Sequence, residues 1–235
     1  MRRVLIFLLL LNLIALSGGA GAQNKPATPT PDISGMWELG YDSRSVPLAS
    51  LTAQAAAADK KLVMTHDLNA IRWCQMVGLP AMMDTGGPLD IVQDSRYVAI
   101  TADRAPGQTR YIYLNSKHPN MDIFDPQVVG HSIGKWDGDA LVADTMGFSD
   151  KGVISIPGGG SRTETSHLVE RYRLLDDGRQ LSVTFTWEDP AVYQKTHTYE
   201  FIYSRAPQGT SARTYRCDAS DQARAEFILR PLNSQ

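Results

Sequence analysis

Two histidines lie in the middle of strand-like sequence, His131 in GHSIGKWDGDALVADTMGF and His167 in SRTETSHLVERYR, with Asp144, Glu164 and Glu170 near them along the chain. Imidazole suits proton transfer because its ordinary pKa is close to neutrality and a neighbouring carboxylate raises it. The chemistry expected is general acid–base catalysis by His131 or His167, with Asp144 or Glu164 orienting or charging the ring. His118 is a third imidazole for the same mouth of the fold. A mid-strand histidine replaces an aliphatic side chain that would pack at lower cost, which favours a role for this pair. For any single histidine, capping a turn or donating to a backbone carbonyl stays an open alternative. Asp144 is equally open, as a partner for Arg or His or as a cap.

Strand alternation restricts the combinations. His131, Ile133 and Lys135 share one face, and Ser132, Gly134 and Trp136 the other. In a regular strand over Thr163–Leu174, His167 and Arg171 fall on one side and Glu164, Glu170 and Tyr172 on the opposite side. A metal held by His131, Glu164, His167 and Glu170 therefore needs an irregular or helical segment, which would put His167 and Glu170 on one face at i, i+3. With a regular strand, neither metal nor cofactor is expected. Trp136, Phe148, Tyr172, Arg171 and His118 are the candidate ligand-binding side chains, since an inward aromatic stripe can line an apolar pocket.

Other features have ordinary explanations. Asp137 and Asp139 flank Gly138 in a hairpin-turn signal, as do Asp176 and Asp177 before Gly178. Asp189-Pro190 ends a strand. Glu164 and the Glu170-Arg171 pair also fit cross-strand ion pairs, each contributing about 0.2–1 kcal/mol. Gly158 to Gly160 lacks the Lys-Ser/Thr of a phosphate loop, so a flexible lid or a long hairpin connection is expected. Ser132 lacks the G-x-S-x-G elbow of serine hydrolases.

The elements that must hold these residues are short β-rich runs at even spacing, separated by Gly, Pro, Asp and Asn. They are Leu89–Gln93, Tyr97–Ala102, Arg110–Leu114, Gly130–Trp136, Ala140–Asp144, Thr163–Leu174, Gln180–Glu188, Thr196–Ser204 and Arg213–Cys217, preceded by a strand around Trp37. The expected fold is mostly β, a single antiparallel barrel or curled sheet, lipocalin-like in architecture. Closure removes the unpaired edges of so many strands. One N-terminal helix is expected in the alanine-rich stretch Leu51–Lys61 and a short closing helix in Ser220–Leu229. Asp67–Met83 reads as mostly irregular.

Residues 1–22 read as a signal peptide, with Arg2 and Arg3, an apolar run and Ala20-Gly21-Ala22. Residues 23–32 read as a linker and 33–235 as one β-rich domain. The expected location is periplasmic or secreted, with no stable membrane anchor after cleavage. Cys74 and Cys217 are the two cysteines, and in an oxidising compartment they are expected to pair. Lys and Arg total 23 against 25 Asp and Glu with no basic cluster, so a nucleic-acid partner is not expected. A small-molecule ligand or substrate is; the oligomeric state is left open.

The segments GHSIGKWDGDALVADTMGFSDKG, SRTETSHLVERYR and EDPAVYQK together resemble an uncharacterised family of exported bacterial proteins. That family reads G-H-S-I-G-x-W-x-G-D-T-L-V-V-D-T-x-G-F, then H-S-E-x-x-H-x-x-E-R, then D-D-P-x-x-Y. The likeness spans roughly Cys74 to Tyr193 and implies where a site lies, without implying an activity. Arg162 stands where the family has a histidine, a departure that counts against a three-histidine mechanism.

Three functions fit these observations. The first is an exported small-molecule-binding barrel which, if catalytic, is a cofactor-independent lyase, isomerase or hydratase acting on an apolar or aromatic substrate. The second is a non-catalytic periplasmic carrier, and the third a metal-dependent hydrolase.

Overall fold

The computed structural model describes residues 30–62, 76–84, 87–102 and 108–210. The expected signal peptide, the expected pairing of Cys74 with Cys217, and the strand and closing helix expected at Arg213–Cys217 and Ser220–Leu229 all fall outside the described residues.

Nine strands form a closed barrel in which each pairs with its neighbours in sequence. They are β1 (Gly35–Ser45), β2 (Leu89–Gln93), β3 (Tyr97–Ala102), β4 (Thr109–Leu114), β5 (His131–Asp137), β6 (Ala140–Met146), β7 (His167–Leu175), β8 (Gln180–Glu188) and β9 (His197–Arg205). The ring closes where β1 pairs with β9, Trp37 opposite Arg205. Helix α1 spans Ala53–Leu62, and Ala81–Asp84 forms one 3-10 turn.

Two differences from the expected layout matter for the site. First, β4 and β5 run parallel, Tyr113 opposite Ile133, whereas an antiparallel order was expected throughout. A parallel pair cannot be joined by a tight turn, so the chain from Asn115 to Gly130 must travel back along the barrel wall before β5 begins. Second, β7 starts at His167 rather than Thr163. Thr163 to Ser166 form a turn, closed by the Ser166 amide on the Thr163 carbonyl at 3.2 Å. The buried Asp189 carboxylate holds that turn by accepting from the Thr163 and Ser166 hydroxyls at 2.5 and 2.9 Å.

Alternation decides what lies inside. Leu141, Ala143 and Thr145 of β6 and Leu168, Glu170 and Tyr172 of β7 are fully buried, while the residues between them are not. The lumen is packed with large side chains: Trp37, Tyr172, Phe185, Trp187 and Phe201 have no exposed surface. Phe185 stacks on Tyr199 at 4.8 Å between ring centres. Gly134 on β5 leaves room for this packing, since a Cβ there would sit 2.6 Å from the Ile112 side chain on the neighbouring strand.

The triple glycine belongs to the connection between β6 and β7, and it is tied down rather than free as a lid. All three residues have positive φ, and a Cβ on Gly158 would lie 2.3 Å from the Pro47 carbonyl oxygen. The Ala49 amide donates to the Gly158 carbonyl at 2.8 Å, and the Gly160 amide donates to Asp59 at 3.0 Å.

Candidate functional site

His131, Asp144 and His167 occupy outward positions on three consecutive strands, so they gather on the outer wall of the barrel and not inside its mouth. The register sets their spacing: Ile133 pairs with Asp144, Asp144 with Val169, and His167 with Glu188. His118 reaches the same place from the crossover that the parallel β4–β5 pair imposes.

The four side chains form one chain of polar contacts, with Glu188 at its end. His131 Nδ1 is 2.9 Å from His118 Nδ1. His118 Nε2 and His167 Nε2 each lie 3.0 Å from Asp144 Oδ1, and His167 Nδ1 lies 3.3 Å from Glu188 Oε2. An ionised carboxylate only accepts, so both Nε2–H groups donate to Asp144. A neutral His118 then carries its lone pair on Nδ1 and accepts from His131 Nδ1–H. The tautomers follow from that assignment, and they leave His131 Nε2 as a free base at the end of the chain.

Electrostatics divides the roles. The hydrogen bond from His167, seconded by that from His118, holds the Asp144 carboxyl below its ordinary pKa. The Asp144 hydrogen bond, with Glu188 adding to it, raises the His167 imidazole above its ordinary value. Burial lowers His131, and the neighbouring His118 lowers it further. Tyr113 stacks on the His131 ring at 5.5 Å and Phe124 meets it edge-on at 5.7 Å, which accounts for that desolvation. One end of the chain is thus suited to accept a proton and the other to hold one.

The raised His167 pKa makes a testable contribution to stability. A group whose pKa is higher in the folded state stabilises fully below its unfolded value, near 6.5, and loses that contribution as pH rises through the folded value. His131 acts oppositely but is common to both proteins in a comparison. The stability difference between the wild type and His167→Gln should be larger at pH 6 than at pH 9 in urea titrations. A gap that does not change with pH would rule out the ion pair.

The other expected site residues lie elsewhere. Glu164 is exposed in the turn before β7. Glu170 points into the barrel, so the four proposed metal ligands do not converge, and the described residues contain no group of three or more His, Cys, Asp or Glu able to hold a metal ion. Tyr172 and Phe148 are fully buried in the core and Trp136 packs against it. Arg171 pairs with Asp137 at 2.9 Å on the surface.

Inside the barrel, Arg110 binds Glu170 through both terminal nitrogens, at 2.8 and 2.7 Å. It also donates to Ser132 at 2.9 Å and Thr145 at 3.2 Å, and the Tyr172 hydroxyl donates to Glu170 at 2.8 Å. Burial alone would disfavour the Arg110 cation, but Glu170 more than reverses this and holds it firmly protonated. Arg162 is a buried cation that joins two loops. It donates to the carbonyls of Val128 and Lys151 at 2.5 Å each, and burial pushes its pKa down to about 10.

Sequence reasoning missed Glu188, Tyr113 and Phe124 as members of the outer cluster. The alternation of β4 puts Tyr111 and Tyr113 on one face and was available as a signal. Only cross-strand register and the path of the crossover bring in Glu188 and Phe124.

No family model, curated protein or solved structure matches the chain.

Proposed function

We propose that this chain is an exported β-barrel protein that binds a small apolar or aromatic molecule on its outer wall, against Tyr113, Phe124 and His131, and moves a proton on it. The reaction class is a lyase-, isomerase- or hydratase-type proton transfer that needs no cofactor. The observation that carries this reading is the continuous chain of contacts from His131 through His118 and Asp144 to His167.

His131 Nε2 takes the proton, and the cation that forms on its ring is stabilised through His118 by the Asp144 carboxylate, whose hydrogen bonds favour its ionised form. His167, whose protonated form Asp144 and Glu188 favour, is the acid side of the cluster. A lipocalin-like barrel would keep its ligand in the lumen. Here the lumen-facing aromatic side chains are buried against one another, which supports a ligand on the wall instead.

The test is hydrogen–deuterium exchange. A panel of neutral aryl ketones and other aryl carbon acids is incubated with the protein in deuterated buffer, and label uptake is followed by NMR. Exchange above the buffer rate is expected for at least one compound, and His131→Gln should return it to background. Binding without exchange would leave a carrier; exchange unaffected by His131→Gln would refute the assigned base.

A further inference from the structure

Deepening the reading above and resting on it, we propose that the ligand of the His131 site is an elongated, uncharged molecule carrying two or three aromatic rings, laid across the outer face of β2 to β5.

The outer wall of an antiparallel barrel in water is ordinarily polar, because its strands alternate apolar residues inward and polar residues outward. Strands β7 and β8 follow that rule, presenting Arg171, Arg173, Thr184, Thr186 and Glu188. Strands β2 to β5 depart from it over two rows, beside the polar row Asp90–Thr101–Thr109 that still follows it. Val92 pairs with Ala99, which pairs with Tyr111; in the adjoining row Tyr97 pairs with Tyr113, which pairs with Ile133. These side chains point outward, and Val92, Tyr111 and Tyr113 remain 54%, 45% and 42% exposed. The rings adjoin one another: Tyr97 meets Tyr111 at 5.4 Å, Tyr111 meets Tyr113 at 6.3 Å, and Tyr113 meets His131 at 5.5 Å. The aromatic face therefore runs directly into the proposed base.

Its length and charge restrict the occupant. Four adjacent strands span about 15 Å, more than a single aromatic ring covers. Arg96, over the Tyr97 ring at 5.3 Å, is paired with Asp94 at 3.2 Å, and Asp90 and Lys135 stand on β2 and β5 at its two sides with opposite charge. The face carries no excess charge to recognise an anion or a cation. A neutral oligosaccharide of similar length would set several hydroxyl groups against Val92, Ala99 and Ile133, which cannot hydrogen-bond them through their side chains.

The experiment uses N-phenyl-1-naphthylamine, a neutral two-unit aryl probe whose fluorescence rises on transfer from water. The intact protein should bind it, and the double variant Tyr111→Ser/Tyr113→Ser should bind it about tenfold more weakly, as expected for the loss of two ring contacts. Tyr41→Ser, which removes a tyrosine 91% exposed on β1, should leave binding unchanged. Near-ultraviolet circular dichroism establishes that each variant is folded. A protein that binds the probe through Tyr111 and Tyr113 yet exchanges no deuterium keeps this proposal and loses only the proton-transfer reading. No binding, equal binding by the double variant, or displacement of the probe by a neutral glucose tetrasaccharide would each overturn the proposal.

Discussion

Replacing Glu170 with alanine should lower stability by about 3–5 kcal/mol, the usual consequence of leaving one member of a buried ion pair without its partner. The side chains of Arg110 and Glu170 are 1% and 0% exposed, so the stranded cation has no route to solvent. Ser132 and Thr145 would still accept from one Arg110 nitrogen, but neutral hydroxyls replace only a fraction of the carboxylate's effect. Tyr172 would lose the acceptor for its hydroxyl as well. Replacing both charges with apolar residues removes the desolvation cost of each, so Arg110→Met/Glu170→Leu should recover most of the loss. Urea denaturation of the three proteins measures the loss and its recovery. A single-variant cost below about 1 kcal/mol would show that the pair is not sealed from water.

Asp144→Asn should slow the proposed proton transfer by about 10²–10⁴-fold while leaving the barrel folded. Asparagine preserves shape but carries no charge, and its amide group brings donors where two imidazole N–H groups already converge on one oxygen. His118 would no longer be fixed in the tautomer that accepts from His131, and the ring of His131 would lose its orientation together with the charge that stabilises its protonated form. The same substitution removes the first cause of the raised His167 pKa. In an NMR titration, the His167 midpoint should therefore move down towards the ordinary imidazole value. Exchange at the wild-type rate in Asp144→Asn would sink the relay, even if His131→Gln proved inactive.

The chain's local pattern settles a good deal. Evenly spaced β-rich runs determine a mostly β fold, and period-two alternation puts His131 on the face opposite Ser132, and His167 on the face opposite Glu170, because neighbouring side chains of a strand cannot share a side. Asp-Gly turns at Asp137-Gly138 and Asp177-Gly178 are equally local. Which face is the inside is a different question, since His131 and an inward Ser132 look alike until the sheet closes and one side becomes core. Closure turned the histidines outward and drew Glu170 in against Arg110. The β4–β5 pairing is parallel, which routes Asn115–Gly130 back across the wall and delivers His118 between His131 and Asp144. Glu188 joins through a register between β7 and β8. Contacts of this kind link residues far apart in sequence, where no local spacing encodes them, and they come into being only when the barrel forms.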